Sequence, residues 1–201
     1  DHIRLQVLGA GLCPKECMQT ARRIAELIGT RVAFDYSDRL GYLTACPSNL
    51  GTALRVSVML HLPILTESGA VERMIAWAAR QGFAVRGAYG EGSSAAGGFY
   101  QLSNQITLGL SEDAIVEKLI SAATEVIDQE KRAREQLRTA NGDALFDRIA
   151  RSAAILRHAR LLPSEEAASC ISDVLIGLQM GYLSGIDAQT LIEAEQDTRP
   201  A

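Results

Sequence analysis

Residues 41–63 read G-Y-L-T-A-C-P-S-N-L-G-T-A-L-R-V-S-V-M-L-H-L-P. The spacing predicts strand, tight polar turn, strand. From Leu54 the alternation is strict. Arg55, Ser57, Met59 and His61 fall on one face of a strand over 54–62, and Leu54, Val56, Val58, Leu60 and Leu62 on the other. The turn before it holds Cys46, Pro47, Ser48, Asn49, Gly51 and Thr52. A thiol, hydroxyls, an amide and a guanidinium are thus gathered between two apolar strands. Loops held by rigid elements are where binding and catalytic groups concentrate.

Working outward, the pattern stays mixed up to about residue 111. Ile3 to Leu8 alternates as a strand, Gly9 to Pro14 turns, and Lys15 to Ile28 is an amphipathic helix. Strands are predicted over Val32–Tyr36, Tyr42–Ala45, Phe83–Tyr89 and Phe99–Asn104, and a helix over Ser68–Gln81. Residues 90–98, G-E-G-S-S-A-A-G-G, have the composition of a flexible loop.

After Ser111 the period is helical throughout. Glu112 and Asp113 suit a first helical turn. Residues 129–138, Q-E-K-R-A-R-E-Q-L-R, predict a solvated helix end or linker. Asn141-Gly142 predicts a break, with helices near 143–160, 164–180 and 187–196 beyond it. The expected fold class is α+β, a mainly antiparallel sheet flanked by helices over residues 1–140, then an all-α domain over 141–201.

Composition narrows the function. The 201 residues carry a net charge of −4, so no global basic field favours nucleic acid. The apolar runs are too short to span a bilayer, and no signal peptide opens the chain. Cys13 and Cys17 lie four apart, with no second pair or nearby histidine to complete a zinc set, so no metal site is expected. Reduced thiols point to the cytoplasm. Asp1-His2-Ile3-Arg4 leads straight into a strand pattern, which reads as a cut through a longer protein.

Several motifs have two readings. Gly9-Ala10-Gly11 with Asp35 mimics a dinucleotide fingerprint, but Pro14 stands where a small residue is needed, and no βαβ series follows. Gly90 to Ala95 fits the pattern loosely and precedes a strand instead of a helix. Arg4, Arg55 and Arg86 lie in or beside predicted strands. Either they converge on a polyphosphate or each pairs with its own carboxylate. Glu91 is either a binding carboxylate or an exposed loop residue. Cys46 is either a thiol of lowered pKa or a small buried hydrophobe. His61 is read as covering the sheet, and Trp77 as packing.

L-G-Y-L-T-A-C-P-S-N-L-G-T-A-L-R-V-S-V, with D-H-I-R upstream and V-R-G-A-Y-G-E-G then Y-Q-L-S-N-Q-I-T-L-G-L-S-E downstream, resembles the ATP:guanido phosphotransferase family. V-M-L-H-L-P, S-N-Q-I-T and the helical tail with Y-L-S-G-I-D-A-Q-T-L are similar to its bacterial protein-arginine kinase branch. The resemblance implies a catalytic domain like those of guanidino kinases and glutamine synthetase, followed by a helical dimerisation domain. It implies that Arg4, Arg55 and Arg86 hold ATP phosphates, with Val56, Ser57, Val58 and Met59 lining the nucleotide. The run Arg86, Gly87, Ala88, Tyr89, Gly90 and Glu91 would line it too. Glu91 would also hold the substrate guanidinium, with Cys46 beside it. ATP and Mg²⁺ would be required.

Implied partners are protein substrates with exposed arginines and a second copy through the tail. A zinc-finger activator, a heat-shock repressor and a Clp-type unfoldase are implied as well. The family places a glutamate just before the Asp-His pair that here is Asp1-His2, and a smaller domain before that. Ser94 stands where related sequences often carry glutamate. The expectation is a kinase of which this chain is an incomplete, inactive portion. The alternatives are a kinase for a small guanidino metabolite and a non-catalytic dimerising module.

Overall fold

The computed structural model describes residues 3–87 and 96–197. In order these form α1 (Pro14–Gly29), β1 (Tyr36–Ser37), β2 (Gly41–Tyr42), β3 (Ser57–His61), α2 (Pro63–Glu67) and α3 (Val71–Arg80). There follow β4 (Phe83–Gly87), β5 (Phe99–Asn104), α4 (Glu112–His158), α5 (Ser164–Gln179) and α6 (Ala188–Asp197). β1 and β2 form an antiparallel pair, and a three-stranded sheet has the order β3-β5-β4. β5 is the central strand, and Leu102, Ser103 and Asn104 on it are buried. The build is α+β with antiparallel sheets, as the sequence predicts.

Several predicted elements are shorter than expected or absent. Residues 3–8 form no strand, and the predicted strands at 32–36 and 42–45 shrink to two-residue ladders at 36–37 and 41–42. An alternating pattern becomes a strand only where a neighbour accepts its ladder. Without the strand at 3–8, the dinucleotide reading at Gly9 loses its strand-turn-helix frame. The helix expected over 68–81 is α3 alone, and an unpredicted short helix, α2, precedes it, the two separated by a turn at Gly69. The break at Asn141 is a kink inside α4, with φ −153° and ψ 46°.

The described chain divides into two compact units. The first comprises Asp1–Met59, Met74–Val85 and Gln101–Val126. Its buried apolar side chains include Met74, Ala78, Phe83, Leu102 and the inner stripe of α4, Ile115, Val116, Leu119, Ala122, Ala123 and Val126. Pro14 at the first helical position of α1 is pre-set for helical φ. Arg22 of α1 reaches Glu112 at 2.9 Å and Asp113 at 3.3 Å, in the first turn of α4, where acids also suit the helix dipole.

The second unit comprises Leu60–Arg73, Arg86–Tyr100 and Ile127–Ala201. One cluster joins Ile64, Leu145, Ile149 and Ile176, and another joins Phe99, Ile171 and Leu175. From Cys170 to Gly177 every residue of α5 is buried, as befits a core helix.

The charged run at 129–138 is not simply a solvated face. Lys131, Arg132, Glu135, Gln136 and Arg138 are exposed, but Glu130 and Arg134 are buried. Glu130 Oε1 and Arg134 Nε lie 2.6 Å apart. The Glu130 carboxylate also accepts the backbone N–H groups of Ile64 and Leu65, at 3.2 and 2.9 Å, in the first turn of α2. Arg134 donates in turn to the Gln179 side-chain oxygen and, at 3.1 Å, to the His61 carbonyl. A buried pair is tolerable only when its remaining donors and acceptors are met in this way.

Candidate active site

The turn at 44–52 is built by short hydrogen bonds. Thr44 Oγ1 donates to the Cys46 carbonyl at 2.8 Å, and Pro47–Asn49 make one 3-10 turn. Gly51 has φ +108°, and any Cβ there would strike the Thr107 backbone, so only glycine fits. Thr52 N–H donates to the Thr107 carbonyl at 2.9 Å. Thr107 Oγ1 lies 3.1 Å from the Ser48 carbonyl and 2.7 Å from the Leu50 carbonyl. Residue 107 thus fixes the turn from across 55 to 59 positions of sequence.

Within that frame Cys46 is exposed, with Sγ 3.1 Å from Ser48 Oγ. Hydrogen bonds from the Ser48 hydroxyl, and then from its backbone N–H, pull the thiol below its ordinary pKa. The buried-hydrophobe reading of Cys46 is therefore wrong. Its thiolate form is the one the turn stabilises.

Beyond the turn, Ala53 has φ 52°, a left-handed conformation rare for a residue with a side chain. The chain then straightens into β3. Arg55, Ser57 and Met59 are exposed, and Val58 and Leu60 are buried, so the period of two holds. Arg55 donates to Ser103 Oγ at 3.4 Å, a long bond that leaves the guanidinium mostly in solvent. Asn104 anchors the strand's entry. Its Oδ1 accepts from Val56 N–H at 2.8 Å, and its amide donates to the carbonyls of Leu54 and Ile106 at 3.0 and 3.1 Å. Gln101 Nε2 donates to Ser57 Oγ at 2.9 Å.

His61 ends β3 and belongs to the second unit. Its ring stacks on Phe99 at 4.6 Å, and Nε2 lies 2.8 Å from Ser172 Oγ. Burial, and then the nearby Arg134 charge, lowers its pKa to about 3, so it is a neutral packing group. That agrees with its sequence reading.

Arg4, Cys46 and Arg55 to Met59 belong to the first unit, and Arg4 is exposed in an irregular segment. Arg86 and Gly87, at the end of β4, belong to the second, with Arg86 exposed. Ala88, Tyr89, Gly90, Glu91 and Ser94 lie outside the described residues. Sequence reasoning did not single out the groups that hold the site in shape: Ser48 for the thiol, Asn104 and Ser103 for β3, and Thr107 for the turn. Asn104 and Thr107 stood in the S-N-Q-I-T motif, whose value there was only as a resemblance.

An exposed guanidinium and hydroxyl on an open strand face, and a polar turn carrying a thiol of lowered pKa, suit an anionic, polyphosphate-bearing ligand and a cationic partner. Residues 1–133 match the family description "ATP:guanido phosphotransferase, C-terminal catalytic domain". The chain belongs to the ATP:guanido phosphotransferase family. Residues 142–201 match a second description, "Protein-arginine kinase McsB C-terminal domain".

All of this chain aligns, at 44% identity over 200 residues, with a protein named protein-arginine kinase from Bacillus cereus (strain G9842). One of the same name from Bacillus mycoides (strain KBAB4) is likewise 44% identical. The chain spans 56% of the length of each. Among solved structures, a lombricine kinase is similar at 33% identity with a TM-score of 0.52, over 58% of this chain and 33% of that one. No helix among the described residues is long and apolar enough to cross a membrane.

Proposed function

We propose that this protein transfers the terminal phosphoryl group of ATP to the guanidinium of arginine residues in proteins. The observation that supports it most is the face of β3. Arg55, Ser57 and Met59 are presented outward while Val58 and Leu60 anchor the strand in the core. Phosphoryl transfer asks mainly for positioning and charge stabilisation. Arg4, Arg55 and Arg86 serve as the phosphate-binding cations. Ser57 and Met59 line the nucleotide with their side chains, Val56 and Val58 with their backbone, together with Gly87, Ala88, Tyr89 and Gly90. No group of three or more His, Cys, Asp or Glu side chains that could hold a metal occurs among the described residues, so Mg²⁺ would enter with the ATP phosphates and would supply part of their charge neutralisation.

The acceptor nitrogen needs a carboxylate to orient it and take its proton, because a guanidinium has a pKa above about 12. Glu91 fills that role. The Cys46 thiolate adds negative charge beside the guanidinium, as an electrostatic helper and not a covalent nucleophile. Residues 1–140 form the catalytic domain and 141–201 a helical domain through which two copies pair. The protein acts in the cytoplasm, and activator, repressor and unfoldase partners of the kinds named above follow from the same reading.

The test is incubation of the complete protein with labelled ATP and either an unfolded protein or free arginine. Acid-labile phosphate on protein is expected. Label on free arginine instead identifies a small-metabolite kinase, and label on neither identifies a non-catalytic module. Glu91→Gln is expected to lower turnover roughly a hundredfold or more, the range of a positioned acid–base group. Near-normal phosphoarginine formation in that variant removes Glu91 from the mechanism.

A further inference from the structure

Gly97 and Gly98 touch none of the groups above, yet the fold leaves no room for a side chain at either. They lie in the 3-10 turn Ala96–Gly98 that leads into β5, with φ of +72° and +70°, a backbone that glycine adopts freely. A Cβ on Gly97 would lie 2.8 Å from the Ala168 carbonyl oxygen of α5, and one on Gly98 would lie 2.7 Å from Pro63 Cα of α2. Both obstacles are backbone, so neither can swing aside. The turn is seated between α2 and α5.

Further contacts tie the same seat to the end of β3. Leu62 N–H donates to the Gly98 carbonyl at 2.7 Å. The His61 ring stacks on Phe99, the first residue of β5, while its Nε2 lies 2.8 Å from Ser172 Oγ on α5. Phe99 also packs with Ile171 and Leu175. Ala168, Ile171, Ser172 and Leu175 follow the three-and-four spacing of a single helix face, and that face makes every contact of α5 with the seat. Gly97 to Phe99 fall in the catalytic domain proposed above and α5 in the helical one, but all of these residues belong to the second compact unit.

We propose that Gly97, Gly98, Ala168 and Ser172 are positioning residues for phosphoryl transfer: α5 fixes the point at which the chain that carries Glu91 enters β5, and with it the acceptor side of the reaction. Gly97 follows Glu91 by six residues. This rests on the reading of Glu91 as the carboxylate that holds the acceptor guanidinium. Close-packed interiors transmit displacement, and a misplacement of about 1 Å far from the chemistry can cost roughly a hundredfold in rate. The helical tail thereby supports the site as well as pairing copies.

Kinetic constants of the complete protein are measured with labelled ATP and an unfolded protein acceptor, and ATP affinity is measured separately by calorimetry. Gly97→Ala is expected to lower kcat/KM for the acceptor about a hundredfold. Ser172→Ala should lower it roughly tenfold, within the range for residues that act through others. ATP affinity should be unchanged in both. Ser152→Ala is the control for mere stability, since it removes a likewise buried hydroxyl that bonds α5 at Asp173, 2.7 Å away and outside the seat. It should lower the melting temperature as Ser172→Ala does but leave the acceptor constants unmoved. Should Gly97→Ala fail to fold, Ser172→Ala, which deletes one oxygen, decides. Acceptor constants in Ser172→Ala equal to those of Ser152→Ala, or a matching loss of ATP affinity, overturn the proposal. If the unaltered protein labels no acceptor, or Glu91→Gln labels it normally, the reading of Glu91 fails and the seat's role with it. Activity that Glu91→Gln abolishes and the seat variants leave intact overturns the seat's role alone.

Discussion

A single hydroxyl sets the character of the thiol in the turn. Ser48 holds Cys46 below the ordinary thiol range, so Ser48→Ala should raise the pH at which Cys46 is alkylated, with the fold unchanged. The pH dependence of iodoacetamide labelling at this one residue measures it. An unmoved profile would assign the lowered pKa to another cause. The sequence displayed Cys46 and Ser48 two residues apart but not which way the hydroxyl points, and so it left the thiol with two readings.

His61 provides the second prediction at this scale. Its folded pKa of about 3 lies below the unfolded value of about 6.5, so the unfolded chain takes up a proton that the native one refuses. Stability is lost as pH falls from about 6.5 towards about 3, with a slope of up to about 1.4 kcal/mol per pH unit from this group alone. His61→Gln, which preserves a partner for Ser172, should remove that part of the slope in urea denaturation at pH 7, 6 and 5.

At the scale of elements, the decisive contact is the buried pair on α4. Glu130 satisfies the first N–H groups of α2, which has no side-chain cap of its own, and Arg134 holds the carbonyl that ends β3. Glu130→Ala leaves a buried guanidinium unpaired and should cost about 3–5 kcal/mol. Replacing both partners by apolar residues of similar volume should recover most of that loss, as read by chemical denaturation. A loss confined to Glu130→Ala with no recovery would mean that the α2 cap, not the charge, dominates.

Periodicity gave the helices well. α1, α5 and α6 lie within a few residues of their expected ends, and Asn141 was read as a break. It failed for the run at 129–138, because a charged pair four residues apart looks the same on a solvated face as in a core. What separates the two is a partner 45 or more residues away: Ile64, Leu65, His61 and Gln179. The small strands failed for a related reason, since a ladder needs a neighbour that local alternation does not identify.

For the molecule as a whole, the two units differ in how they hide apolar surface. Apart from Phe146, Leu161 and Ile186, every exposed large apolar side chain among the described residues belongs to the first unit. Leu8, Leu27, Phe34 and Tyr36 are among them. In the second unit α5 is enclosed on all sides from Cys170 to Gly177. Hydrogen exchange should therefore be rapid in residues 3–12, which form no ladder or helix, and slowest in α5. Comparable protection of both segments would contradict the described fold. The α+β class and the order of the helices other than α2 were legible from pattern alone. The division into these units was not, because each is assembled from three separate stretches of chain.

The end of β3 has a further consequence, in time. His61 is held by Arg134 and Ser172, which follow it by 73 and 111 residues. During synthesis at about 5–20 residues per second, the second of these holds emerges roughly 5 to 20 s after the strand itself. For that interval the nascent strand has its sequence but not its clamp, and its apolar residues, Val58 and Leu60, await a core that has yet to be made. A ribosome stalled before Ser172 should display a protease-sensitive β3, and one stalled after the whole of α5 has emerged should display a protected one.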